Sequence, residues 1–189
     1  AEWIAHDPNP DAAAELAACS EDELQDRFAR PLTFGTAGLR GPLRAGPNGM
    51  NLAVVVRATW AVAKVLADRG LAGSQVVVGY DARHRSAEFG RAVAEVFAAQ
   101  GFSVTLMFVP VPTPAVAYAV RSMGAAAGAQ ITASHNPPGV LRFAAVGSGA
   151  CGKMPVSSAP RCRNSEMPIA SINSAPPTTP DAFTESIAT

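Results

Sequence analysis

Apolar positions along this chain alternate between helical and extended spacing. Leu52, Val55, Val56, Thr59, Val62, Ala63 and Leu66 share one helical face, with Arg57, Lys64 and Asp68 off it. Asn51 is placed to cap that helix and Gly70 to end it. Val76-Val77-Val78-Gly79 is a continuous apolar run of the kind buried in a sheet. A second helix comes next, with Ser86 as its expected cap, Glu88 in its first turn and Phe89, Val93, Val96 and Phe97 inward. Phe102–Phe108 reads as the next strand. Pro110-Val111-Pro112-Thr113-Pro114 is a stiff connector in which Thr113 caps, and Pro114 starts, a helix to about Ser122. Small and β-branched residues from Gly128 to Thr132 then form a third strand, which runs into Ser134-His135-Asn136 and is stopped by two prolines. Strand, helix, strand, helix, strand predicts parallel crossovers and a layered α/β domain. Ahead of it, residues 7–30 read as short helices: Ala12–Ala18, and a second one capped by Ser20 with Glu21, Asp22 and Glu23 at its positive end.

Two stretches carry candidate chemistry. In open α/β sheets ligands sit at the carboxyl ends of strands, so Ser134 has the address of a nucleophile. Leu32–Gly41 holds three glycines and two threonines, a composition that lets backbone approach an anion closely, and Arg40 offers a bidentate guanidinium. Taken alone, each stretch reads better as a solvated turn.

Together they resemble one family. Thr132-Ala133-Ser134-His135-Asn136-Pro137 resembles the phosphoserine loop of the α-D-phosphohexomutases, the superfamily of phosphoglucomutases and phosphomannomutases. Phe34-Gly35-Thr36-Ala37-Gly38-Leu39-Arg40-Gly41 resembles its N-terminal signature, and Asp81 and Arg83 match its Gly-x-Asp-x-Arg element. The resemblance implies the first of four domains, with a mostly parallel mixed sheet between helices. It implies Ser134 as nucleophile and phosphoryl carrier, His135 as a polar neighbour, Arg40 on phosphate oxygens, and Asp81 with Arg83 bracing the loops. The implied activity is a hexose-phosphate mutase of carbohydrate metabolism, with a hexose phosphate as substrate and a hexose 1,6-bisphosphate as activator. Magnesium is implied through the phosphate on Ser134, its other ligands lying in a later Asp-Gly-Asp-x-Asp loop that this sequence lacks.

After the Ser134 loop the family runs through Asn-Gly to a lysine, whereas here the sequence is Gly139-Val140-Leu141-Arg142-Phe143. From about Gly147 serines and prolines cluster and apolar periodicity fades. The expected organisation is therefore an α/β domain over residues 1–146 and a divergent or out-of-frame tail over 147–189, with little to order it. So truncated, the chain is expected not to turn over hexose phosphates by itself. Two other readings compete: a non-catalytic phosphate- or phosphosugar-binding fragment, and a serine hydrolase. The hydrolase is disfavoured because no Gly-x-Ser-x-Gly elbow surrounds Ser134 and the adjacent His135 points elsewhere along an extended chain.

Composition narrows the classes further. Lys+Arg and Asp+Glu number 15 each, so no basic field argues for nucleic acid. No stretch approaches the ~18–20 apolar residues of a membrane span, and the first residues have no basic start followed by an apolar block. Cys19, Cys151 and Cys162 are too few and scattered for a disulfide framework, so the expected compartment is the cytoplasm. Gly147-Ser148-Gly149-Ala150-Cys151-Gly152 fits the dinucleotide fingerprint, but Pro155 and Ser157-Ser158 oppose the helix that fingerprint needs.

Overall fold

The computed structural model describes residues 3–4, 7–35, 38–133 and 139–147. Helices α1 (Ala12–Ala17) and α2 (Glu21–Ala29) come first. The predicted cap of α2 is a full capping box: the Glu23 amide donates to the Ser20 hydroxyl at 3.3 Å, and the Ser20 amide donates back to the Glu23 carboxylate at 3.0 Å. Both helices are strapped to the loop after β2 (Gly38–Pro42). Glu15 accepts from the Ala45 amide at 3.0 Å and pairs with Arg27, and Arg44 pairs with Asp26 at 2.7 Å.

Asn51 starts α3 (Leu52–Leu66) as expected, its side-chain oxygen accepting from the Val54 amide at 3.0 Å. Its amide group also donates to the carbonyls of Arg44 at 2.9 Å and Gly46 at 2.8 Å, so one buried side chain fixes both the helix start and the preceding loop. The helix ends in a π-helical turn, Ala67–Leu71, closed by Gly70 at φ 78°.

The sheet runs in the order β1-β2-β6-β5-β3-β4, built from β1 (Phe34–Gly35), β2, β3 (Gln75–Tyr80), β4 (Ser103–Leu106), β5 (Ala127–Thr132) and β6 (Val140–Gly147). β3 is parallel to both β4 and β5, while β6 is antiparallel to its neighbours β5 and β2. Hence β2, β3, β4 and β5 point one way and β1 and β6 the other, a mixed sheet between helices as the resemblance implied. Helices α3 and α4 (Ser86–Ala99) cover one face, packing Val55, Leu66, Phe89 and Phe97 against Val76, Val78, Ile131 and Phe143. On the other face α5 (Thr113–Ser122) sets Val116 and Val120 against Val77. Here β5 needs a glycine, because a Cβ on Gly128 would lie 2.6 Å from a Val120 methyl.

Four points differ from expectation. Helix α5 begins at Thr113 with Pro112 in the capping position, so Thr113 does not cap it. The strand predicted over Phe102–Phe108 pairs only over Ser103–Leu106; it lies at the sheet edge, and Phe108 stands 88% exposed on the way to α5. Helix α4 begins at Ser86 with Arg85 in the capping position, so Ser86 does not cap it. Finally β6 was not predicted. Val140–Gly147 inserts between β5 and β2 because Leu141 and Phe143 supply buried apolar groups on the α3/α4 face. The expected tail lies outside the described residues from residue 148 onward.

The weight placed on β6 can be measured. Phe143 is fully buried with its ring edge-on to Phe34 at 6.1 Å, so Phe143→Ala should lower stability by ~3–5 kcal/mol in urea denaturation. A loss below ~1 kcal/mol would show that β6 is not part of the cooperative core.

Candidate functional site

The parallel pairing of β3 with β5 brings their carboxyl ends side by side, with Tyr80 opposite Ile131. The loop after β3 carries Asp81 and Arg83, and β5 runs on into Ala133, the residue before Ser134. A carboxylate joins the two. Asp81 Oδ2 accepts from the Ala133 amide at 2.8 Å, and Oδ1 accepts from the Ser86 hydroxyl at 2.6 Å and the Arg83 amide at 3.0 Å. The Asp81 amide meanwhile donates to the Ile131 carbonyl at 3.0 Å. The Ser86 hydroxyl that the sequence suggested as a helix cap is thus directed to Asp81 instead.

Burial by itself would raise the Asp81 carboxyl. Hydrogen bonds from the Ser86 hydroxyl, the Ala133 and Arg83 amides and Thr132 outweigh it and hold the group below the usual aspartate value. The bracing role expected of Asp81 is therefore visible as geometry. Arg83 is exposed in the same loop. Arg85 is held by two 2.7 Å hydrogen bonds to Glu88 and lies 4.9 Å over the Phe89 ring. It does this at φ 61°, a left-handed conformation unusual for a non-glycine residue.

Arg40 lies exposed on β2, separated from β5 by β6. Its register partner on β6 is Arg142, and the partner of Arg142 on β5 is Thr132. Arg40 is therefore level with Thr132, two strand spacings or roughly 10 Å away. Of the site residues expected from sequence, Ser134 and His135 lie outside the described residues, as do Thr36 and Ala37 of the glycine-rich stretch. The sequence reading missed Arg142. Its signal was the alternation Leu141-Arg142-Phe143, which puts a cation on the sheet face opposite two core residues.

Among the described residues no group of three or more His, Cys, Asp or Glu side chains comes together to hold a metal ion. Both Asp81 oxygens already accept hydrogen bonds, so the described residues do not by themselves fit a magnesium site. The expected anchoring of magnesium through Ser134 falls outside them.

The Asp81 clasp has a pH signature. Its folded-state value is depressed, so its stabilising contribution is complete above the unfolded value of about 4 and is lost as pH falls through the folded value. Asp81→Ala should cost about 1–3 kcal/mol at neutral pH, with the gap to wild type shrinking below about pH 4. Paired denaturation curves across that window are the measurement, and a gap that stays constant there would exclude the clasp.

Residues 31–153 match the family model described as phosphoglucomutase/phosphomannomutase, alpha/beta/alpha domain I. That match takes in β6, beyond the Gly139 at which motif-by-motif reading stops. The chain is 39% identical over 142 residues to a phosphoribomutase of Saccharomyces cerevisiae, covering 71% of this chain and 23% of the relative. It is 36% identical over 149 residues to a phosphopentomutase of Mus musculus, covering 72% and 24% respectively. A solved structure from Thermus thermophilus, provisionally assigned as a phosphomannomutase, superimposes with a TM-score of 0.58 at 39% identity, over 63% of this chain and 26% of that one. The chain thus spans about a quarter of the length of these relatives. By these motifs, this sheet order and this match, the chain belongs to the phosphoglucomutase/phosphomannomutase family, of which it carries the alpha/beta/alpha domain I.

Proposed function

We propose that this chain is the phosphoserine-bearing part of a hexose-phosphate mutase of the phosphoglucomutase or phosphomannomutase kind, working in cytoplasmic carbohydrate metabolism. The observation that carries the reading is the Asp81–Ala133 hydrogen bond, which fixes the β5 end next to Ser134. Relatives named phosphoribomutase, phosphoglucomutase and phosphopentomutase support a phosphosugar mutase, with a sugar phosphate as substrate. In this proposal residues 1–146 form the functional domain and 147–189 a tail outside it.

In the chemistry this implies, Ser134 Oγ forms a bond to phosphorus as the bond between phosphorus and a sugar oxygen breaks. The serine proton ends on the departing sugar oxygen, with His135 as the polar neighbour that helps to place it. In turnover the phosphoryl group on Ser134 passes to a free hydroxyl of a hexose monophosphate, whose proton ends on Oγ, and the bisphosphorylated sugar turns around and returns its other phosphoryl group to Ser134. Arg40 holds phosphate oxygens through its planar fork and balances their charge. The reading includes magnesium as cofactor and a hexose 1,6-bisphosphate as activator. Neither is assigned to described residues, and no step above depends on them.

Phosphopeptide mapping after incubation with a hexose 1,6-bisphosphate and magnesium should place phosphate on Ser134 and nowhere else in the domain. Phosphate on another residue, with Ser134 unmodified, would defeat the reading. Arg40→Ala should retain phosphate on Ser134 less well while stability stays within the roughly ±0.5 kcal/mol typical of a surface change. If the domain unfolds instead, Arg40 is structural.

Turnover by this chain alone should be negligible. Transfer needs the nucleophile and the grip on the far end of the substrate held together, and a displacement of ~1 Å costs about a hundredfold. In a coupled assay of the purified chain, robust interconversion of hexose 1- and 6-phosphates that disappears in Ser134→Ala would show that this chain suffices.

A further inference from the structure

Three loops meet at the carboxyl end of the sheet: the one after β3 with Asp81, the connector after β4 with Val111, and the run from β5 towards Ser134. Asp81 joins the first to the third. The connector is caught at Val111 from both sides. Its amide donates to the Tyr80 carbonyl at 2.8 Å, and its carbonyl accepts from Gln130 Nε2 at 3.0 Å. The same Nε2 reaches the Ile131 carbonyl at 3.4 Å, which also accepts from the Asp81 amide at 3.0 Å. Gln130 thus links all three loops from a fully buried place in β5, just ahead of the serine.

Its side chain is costly where it stands. Both Nε2 bonds go to carbonyls, which fixes the orientation of the amide, and Oε1 is left buried without a donor. A methionine fills a similar volume with no polar atom to satisfy. Val111 is half-buried, so water can take over the bond that its carbonyl would lose. Stability alone therefore favours an apolar residue at this position, and what glutamine adds is the tie to Val111.

We propose that Gln130 is a positioning residue for phosphoryl transfer to Ser134: by holding the connector to β5 it makes the three loops one rigid body around the serine. The inference rests on Ser134 as the phosphoryl acceptor, and it adds the connector after β4 to the same site. Gln130 acts through Val111 and through the Ile131 carbonyl that it shares with Asp81, not on the reacting atoms.

The test is single-turnover phosphorylation of the full chain by a hexose 1,6-bisphosphate with magnesium, the rate followed against donor concentration and the phosphate mapped to Ser134. Gln130→Met should lower the limiting rate by about tenfold or more, because small displacements are costly in transfer. The donor concentration at half-maximal rate should stay within about twofold of wild type, and the urea midpoint should equal or exceed that of wild type. A limiting rate within about twofold of wild type, or one that falls only together with the urea midpoint, would overturn the proposal. Gln130→Glu serves if the methionine variant fails to fold. Burial keeps such a carboxyl protonated to a higher pH than usual, and only the protonated form donates to Val111. Its rate relative to wild type should recover as pH falls from about 8 to about 5, a range in which the Asp81 clasp stays ionised. A ratio that is flat across that range would equally overturn it. If wild type places no phosphate on Ser134, the mutase reading fails and hydrogen exchange decides the coupling. Gln130→Met should then speed exchange of the Ala133 and Val111 amides by about tenfold or more; unchanged exchange at both would show that the loops are not one body.

Discussion

One carboxylate joins the two loops on which the candidate site depends. Asp81 binds the backbone of Ala133 with one oxygen and the start of α4, through Ser86 and Arg83, with the other. Breaking it would leave a buried amide and hydroxyl without partners, each costing more than the bond contributes when made. That asymmetry makes the clasp stiff. It couples the end of β5 to a helix whose Phe89, Val93 and Phe97 are rooted in the core, so the position of the residue before Ser134 is inherited from core packing. For the proposed transfer, a flexible loop alone would not hold the serine to the tolerance required.

The two faces of the sheet divide the labour. Towards α3 and α4 the strands send Leu39, Phe143, Leu141 and Ile131, all essentially inaccessible to water. Towards the other face the same strands send Arg40, Arg142, Thr132 and Gln130. Gln130 is wholly buried there and donates to the Val111 carbonyl at 3.0 Å, holding down the proline-rich connector before α5. Its partner strand makes room with Gly79, where a Cβ would lie 2.5 Å from the Gln130 side-chain oxygen. Polar groups on this face are therefore placed by strand pleat and register, which fix side-chain position more tightly than loops do.

Much of this was legible in the sequence because it was local. Asn51 and Ser20 announce their helices by capping chemistry that acts within a few residues, and the Val76-Val77-Val78 run needs no partner to be read as buried. The bracing expected of Asp81 came from resemblance, while its bond to Ala133, far along the chain, exists only in the folded sheet. The part that stayed hidden depends on distant contacts. Val140–Gly147 has an apolar pattern but comes after two prolines and precedes a stretch without periodicity, and nothing local says that it slots between β5 and β2. Register between strands is a property of pairs, so the meeting of Arg40 with Arg142 could not be read from either residue alone. Ser86 misled for the opposite reason: a good local cap was drawn away by a carboxylate from the loop before it.

The place of β6 has a consequence for biosynthesis. A ribosome delivers β2 early and β5 much later, yet the strand that joins them is the last of the described elements. Until residues 140–147 leave the exit tunnel, β5 offers an unpaired edge of small apolar residues and β2 has only the two-residue β1 beside it. The nascent domain thus holds an open slot flanked by strand edges, the sort of surface that invites pairing with a neighbouring chain. The arginine on β2 comes level with the end of β5 only when that slot closes. Completion of the sheet and alignment of the charged row are therefore one event in the life of the chain, set by the last strand to emerge.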